Sequence, residues 1–198
     1  MTTTVMGRLR GRCPTQLQRL LKHEDGSILV ETAFVMPILI LMLLGTVEVG
    51  RYLLAHQKLE RAAASVADLV SQSPDTVSMA EIMTLFGIVP HITSPYDVEA
   101  SGRVILTSVT RQGEPMTTRV SWQVDGMGTL PVSSQIGAPG EIADLPGGFQ
   151  LLDGETVIIA EAWYDYEAYF LEDIDPTGPI YHRALYRPRL SSLSVAPE

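Results

Sequence analysis

The residues that could do chemistry in this chain are few, and most are carboxylates. Glu161, Asp165 and Glu167 share one strand-like stretch and could supply an acid pair for hydrolysis, although acids on a strand's wet face are the commoner arrangement. Asp173-Ile-Asp175-Pro-Thr177-Gly178 opens like a calcium loop, with acids at positions one and three and glycine at six. Thr177 then replaces the usual Asp or Asn, and position twelve is Ala184 instead of a bidentate glutamate, so a plain acidic turn is the preferred reading of 173–178. His91 and His182 lie far apart without a thiol near either. Cys13 is the only cysteine, which excludes a thiolate zinc site and leaves the chain to fold without disulfides. Phosphate-cradling glycine loops, His-Glu-x-x-His and Gly-x-Ser-x-Gly are absent from the sequence. The expectation is a protein that is no enzyme, with no cofactor and no metal. One further carboxylate asks for an explanation: Glu31, at the entrance of a run, 32–47, that holds not one charge.

That run must position Glu31, and its length says where. The segment 27–47 spans about 31 Å at roughly 1.5 Å per helical residue, matching a hydrocarbon core of about 30 Å. Sixteen residues separate Glu31 from Glu48, at the lower edge for a membrane span. A secretory signal would reach a small-residue cleavage site directly after its apolar core, whereas Glu48, Arg51, His56, Gln57 and Lys58 follow here. Pro37 removes one helical hydrogen bond, a loss that membrane helices tolerate as a mild kink. Before the run stand Arg8, Arg10, Arg12, Arg19 and Lys22 against Glu24 and Asp25; the rest of the chain is acidic, and the whole carries −9. A basic flank stays in the cytoplasm, so the acidic mass lies on the far side. An acidic domain of this kind also disfavours nucleic acid. Glu31 sits four residues past Ser27, about 6 Å along a helix axis. It is either an edge carboxylate reaching headgroups or an acid awaiting a cationic partner within the bilayer.

Gly26-Ser27-Ile28-Leu29-Val30-Glu31, behind a basic leader, resembles the processing site of type IV prepilins and pseudopilins. The resemblance implies cleavage after Gly26, a methylated Ser27 at the new N-terminus, and pairing of Glu31 with a neighbouring subunit's terminal amine. A buried amine and a buried carboxylate each cost far more alone than together. The stretch 26–72 as a whole resembles the TadE-like family of tight-adherence pilus assembly proteins. It carries Val30-Glu31, Ala33-Phe34-Val35, Pro37 in an aliphatic run, Gly45 with Val47-Glu48-Val49-Gly50-Arg51, and Glu60-Arg61-Ala62-Ala63-Ala64, in the family's order. Glu24 and Asp25 depart from the basic character of many prepilin leaders, and the Asp-x-Ser-x-Ser metal motif of larger relatives does not occur.

Beyond the run the chain stays helix-compatible to about Ser71. Tyr52, His56, Leu59, Ala63, Val66 and Val70 recur at spacings of four and three, forming one stripe that packs either on the protein's own sheet or on another helix. Of these His56 reads as a packed core histidine. Ser73-Pro74 stops the helix, and Ser78-Met79-Ala80-Glu81 reads as a capping box that opens a short helix through Phe86, ended by Gly87 and Pro90. Strand character occupies 96–109, 117–124, 156–170 and 180–186, with Val120, Trp122 and Val124 alternating as on a half-buried antiparallel strand. Residues 125–154, rich in Gly and Pro, read as a long loop that is either mobile or a contact surface. The stretch 181–189 gathers three arginines and two tyrosines that either dock on an acidic neighbour or form a final strand with a solvated tail.

The expected fold class is α+β, a long N-terminal transmembrane helix continuing outside the membrane and packed on a small antiparallel sheet, pilin-like. Its parts are a cytoplasmic leader 1–26, a transmembrane helix 27–50, a helical extension 51–72 and an extracytoplasmic domain 73–198. The implied role is a pseudopilin or accessory protein of a tight-adherence type IV pilus, single-pass in the bacterial inner membrane with a periplasmic domain. Its partners would be pilus or pseudopilus subunits, the Tad machinery, a prepilin peptidase and the lipid bilayer. The alternative is a membrane-anchored periplasmic binding module unrelated to pili.

Overall fold

Good helix formers and a single tolerated proline carry one helix through both an apolar and a polar stretch. In the computed structural model, which describes residues 25–74, 77–113, 117–170, 178–190 and 192–197, α1 (Asp25–Ser71) is 47 residues long with Pro37 inside it. The chain divides between Val47 and Glu48 into two compact units. The described part of the first is the apolar helical segment 25–47, whose large side chains from Ile28 to Leu43 are exposed. Among the described residues, α1 is the one helix long and apolar enough to cross a membrane. So large an apolar surface has no place in water on a monomer.

The second unit begins at Glu48 with the rest of α1. The helix stops before Ser73-Pro74, where Gln72 N donates to Leu69 O (3.3 Å) and Ser73 N to Val70 O (3.1 Å), tightening the last turn. Next comes α2 (Met79–Phe86), opened by the capping box: Ser78 Oγ accepts from Glu81 N at 3.2 Å, and Ser78 N donates to the Glu81 carboxylate at 3.0 Å. Pro90 lies in the first turn of α3 (Val89–Thr93), where a missing N–H goes unused, so it opens a third helix as well as closing off the second. In α4 (Val98–Ser101) the Asp97 side chain accepts from Ala100 N. A bend at Tyr96 and then α4 take up 96–101, where the sequence pattern predicts the start of the first strand. β-structure therefore starts later than its apolar residues suggest.

Four strands follow: β1 (Gly102–Gln112), β2 (Thr117–Met127), β3 (Thr156–Tyr164) and β4 (Ile180–Tyr186). They form one antiparallel sheet in the order β2-β1-β3-β4. The molecule is α+β, a long apolar helix followed by a small antiparallel sheet. β3 ends at Tyr164, so 165–170 is loop and not the strand continuation expected there. The alternation expected in β2 is broken as well. Ser108 faces Trp122 while Val109 faces Val120, which leaves Ser121 as a bulge. Val120 consequently turns to the opposite face from Trp122 and Val124.

Each face of the sheet has its own core. On one, Leu59, Ala62, Ala63, Val66, Ala67 and Val70 of α1 pack with Ile82 and Phe86 of α2 over Val104, Leu106, Trp122, Val124, Ile158 and Ala160. On the other, Val109, Val120, Val157 and Ile159 are covered by Ile136 and Leu151 from the long loop. Residues 128–155 are thus neither strand nor free loop but a lid of irregular backbone over the second face, with Ile136 and Leu151 fully buried. The C-terminal segment is tied down too. Arg189 N donates to Ser71 O (3.0 Å), and the Leu193 carbonyl accepts from Ser108 Oγ and Trp122 Nε1, both at 2.8 Å. The solvated tail of the sequence reading is therefore a strap across the sheet, with Leu193 buried.

Candidate functional site

At the start of α1, Gly26 and Ser27 occupy the first turn, and Glu31 follows a little more than one turn later. The Glu31 side chain is exposed among apolar neighbours, and among the described residues it has no hydrogen-bond or ion-pair partner. Within the apolar run Thr46 Oγ1 returns to Met42 O at 2.8 Å, so the hydroxyl is satisfied inside the helix.

At the other end of the run the structure builds something that the sequence reading did not single out. Glu48 is buried, and its carboxylate is closed by three donors from one loop: Tyr166 OH at 2.6 Å, Tyr169 N at 3.1 Å and Phe170 N at 3.3 Å. One turn on, the Arg51 guanidinium stacks on the Tyr169 ring, 3.4 Å from its centroid, and the Arg51 carbonyl accepts from Tyr96 OH at 2.6 Å. Burial and the bond to Glu48 push the Tyr166 phenol up to about 12, so it stays a donor at any ordinary pH. A carboxylate leaving an apolar run would otherwise need water; here the loop supplies the donors. Glu48 and Arg51 were legible as neighbours on a helix face. Their aromatic partners, 45 residues away for Tyr96 and more than a hundred for Tyr166 and Tyr169, were not.

Farther along α1, the stripe read from spacing faces the chain's own sheet. Leu59, Ala63, Val66 and Val70 are buried there, and Tyr52 is partly buried at the edge of the same core. His56, expected as a packed core histidine, makes a specific contact: its Nδ1 lies 2.9 Å from Nε2 of His182 on β4, with Tyr52 edge-on at 4.6 Å. Burial, and then the facing His182, hold the His56 imidazole below its ordinary value of 6.5.

The acids expected on a wet strand face separate. Glu161 is fully buried and accepts from Ser134 Oγ, Gln135 N (3.0 Å) and Tyr181 OH (2.8 Å), tying the long loop to β3 and β4. Burial, with Glu161 beside it, raises the Tyr181 phenol far above its usual range. With every oxygen engaged by structural donors, Glu161 is not arranged as half of an acid pair. Among the described residues no group of three or more His, Cys, Asp or Glu could hold a metal. The acidic turn 173–178 lies outside the described residues except for Gly178, as do Cys13 and the basic leader through Glu24. The C-terminal arginines find partners within the chain: Arg187 with Glu155 (3.4 Å) and Arg189 with Asp68 (3.3 Å), while Arg183 lies over the Tyr181 ring.

Gate, apolar run, Glu48 clamp and sheet-facing stripe follow one another along a single helix, and that helix has a counterpart among known families. Residues 26–68 match the model of the TadE-like protein family. No curated protein and no solved structure matches the chain. The TadE-like segment opens on Gly26 and closes at Asp68, so it takes in Glu31, Glu48, Arg51 and the stripe as far as Val66. The sheet, the long loop and the aromatic loop at 166–170 lie beyond it.

Proposed function

We propose that the chain is a pseudopilin-like accessory component of tight-adherence pilus assembly. In this reading α1 holds it as a single span in the bacterial inner membrane, with the N-terminus cytoplasmic and the acidic sheet domain periplasmic. The observation that carries the proposal is the TadE-like match over 26–68, laid on the only apolar helix of membrane length among the described residues. The role is structural, as in TadE-like pilus proteins, without catalysis of its own. Gly26 and Ser27 would be the processing site for a prepilin peptidase. Glu31, an acid without a partner among the described residues, would pair with the terminal amine of an adjoining pilus or pseudopilus subunit, since both charges are costly in lipid until they meet. Because Leu59, Ala63, Val66 and Val70 are taken up by the chain's own core, lateral packing between subunits falls to the segment 28–47. The domain would then contact Tad machinery from the periplasmic side.

The test is Glu31→Ala in the native host, read by pilus counts alongside the protein's level in the membrane fraction. The proposal expects a normal membrane level and a loss of pili of tenfold or more. Unchanged piliation at a normal membrane level would remove the pairing role.

A further inference from the structure

The Glu48 clamp has an outward side. Its carboxylate fixes the backbone of Tyr169 and Phe170 at the level of the first residue after the apolar run, and the side chains of both point away from the core, 64% and 49% exposed. On α1 itself, Val49, Leu53 and Leu54 are also exposed at these turns. From Glu48 to Leu53 is about 7.5 Å along a helix axis. The headgroup layer on each side of a hydrocarbon core is roughly 5–8 Å deep. Apolar side chains on the helix and two aromatic rings on the loop therefore gather around the residues that follow the apolar run. Tyrosine concentrates in that layer of membrane proteins because its apolar body and polar tip are both accommodated there, and Phe170 adds an apolar ring beside it.

We propose that Tyr169 and Phe170 form an aromatic wedge seated in the phospholipid headgroup layer on the domain side of the membrane, set in place by Glu48 and Arg51. The partner is the lipid interface itself. Arg51, stacked on one face of Tyr169, brings a cation to the phosphate level, where anionic headgroups favour it. The wedge gives the domain a second attachment besides α1 and so fixes its height over the bilayer. The inference rests on the reading of α1 as a span, and the experiment separates the two.

The full-length chain carrying Cys13→Ser is reconstituted in phosphatidylethanolamine and phosphatidylglycerol vesicles and labelled with a fluorophore at one of three added cysteines. Leu39→Cys reports the middle of the apolar run. Phe170→Cys reports the wedge. Leu152→Cys is the control, an apolar position more exposed (70%) than Phe170, just before the opposite end of β3. Quenching is read with lipids spin-labelled near the headgroup or deep in the acyl chain. The expected result is deep quenching at 39, headgroup quenching at 170 at least threefold stronger than at 152, and loss of that difference when Glu48→Ala is added. Quenching at 39 with 170 no stronger than 152 would overturn the wedge and leave the span intact. Absence of quenching at 39 would overturn the span, and the wedge with it. Quenching at 170 unaffected by Glu48→Ala would overturn the role given to the clamp.

Discussion

Glu48 shows what a single carboxylate can organise when its oxygens are met by donors from a distant loop. Hydrogen bonds to a charged group each contribute about 1.5–3 kcal/mol, so Glu48→Ala, which removes three of them, should lower the opening free energy of 166–170 by at least about 2 kcal/mol. That corresponds to roughly thirtyfold faster amide exchange at Tyr169 and Phe170, measured by hydrogen exchange mass spectrometry in detergent; unchanged protection would mean that the clamp is not what holds the loop. His56 gives a prediction in pH. Held below 6.5 in the folded chain by burial and the facing His182, it binds a proton more readily when unfolded. Its contribution is therefore complete above pH 6.5 and is lost as pH falls toward the lower folded value. The thermal midpoint should drop between about pH 7.5 and about pH 5.5, and His56→Gln should flatten that dependence. A variant with the same slope as the parent would show that other groups set it. At this scale the sequence was informative where partners are near along the chain, as at Ser78 and Glu81. It was silent where they are not: Glu48 meets Tyr166 across 118 positions, His56 meets His182 across 126, and Glu161 looked solvated because Ser134 and Tyr181 come from separate segments.

Elements were legible to the degree that their signals are local. The capping box at Ser78, the stop at Pro74 and the limits of β4 follow from residues in immediate contact along the chain. The bulges do not, because a bulge is a property of two strands in register. One of them makes a testable demand. Gly126 lies at the irregularity between Val104 and Ile105 of β1, and a Cβ there would come within 2.0 Å of the Phe86 ring, itself fully buried. Glycine is needed so that α2 can lie close on β2, and Gly126→Ala should cost about 1–3 kcal/mol in chemical unfolding. Leu59→Ala, on the sheet-facing stripe of α1, should cost about 2–5 kcal/mol by emptying a fully packed position. A loss under about 0.5 kcal/mol at either position would mean that the helix and sheet are less closely joined than the contacts indicate.

For the whole molecule, the division into a greasy helix and an acidic sheet domain was readable from charge and hydropathy alone, since a run without charge from 32 to 47 admits few other environments. The way the sheet's second face is covered was not, because Ile136 and Leu151 stand in a Gly- and Pro-rich stretch that gives no periodic signal. The pseudopilin reading predicts that intact mass from native membranes shows loss of residues 1–26 and a methyl group on Ser27; a chain retaining its leader would leave anchoring without pilin-type processing. Beneath every functional statement lies the claim that α1 crosses the bilayer. Alkaline carbonate extraction of native membranes tests it most directly. The account predicts that the protein stays in the pellet through the wash and leaves only with detergent. Recovery of the intact chain in the carbonate supernatant would contradict it.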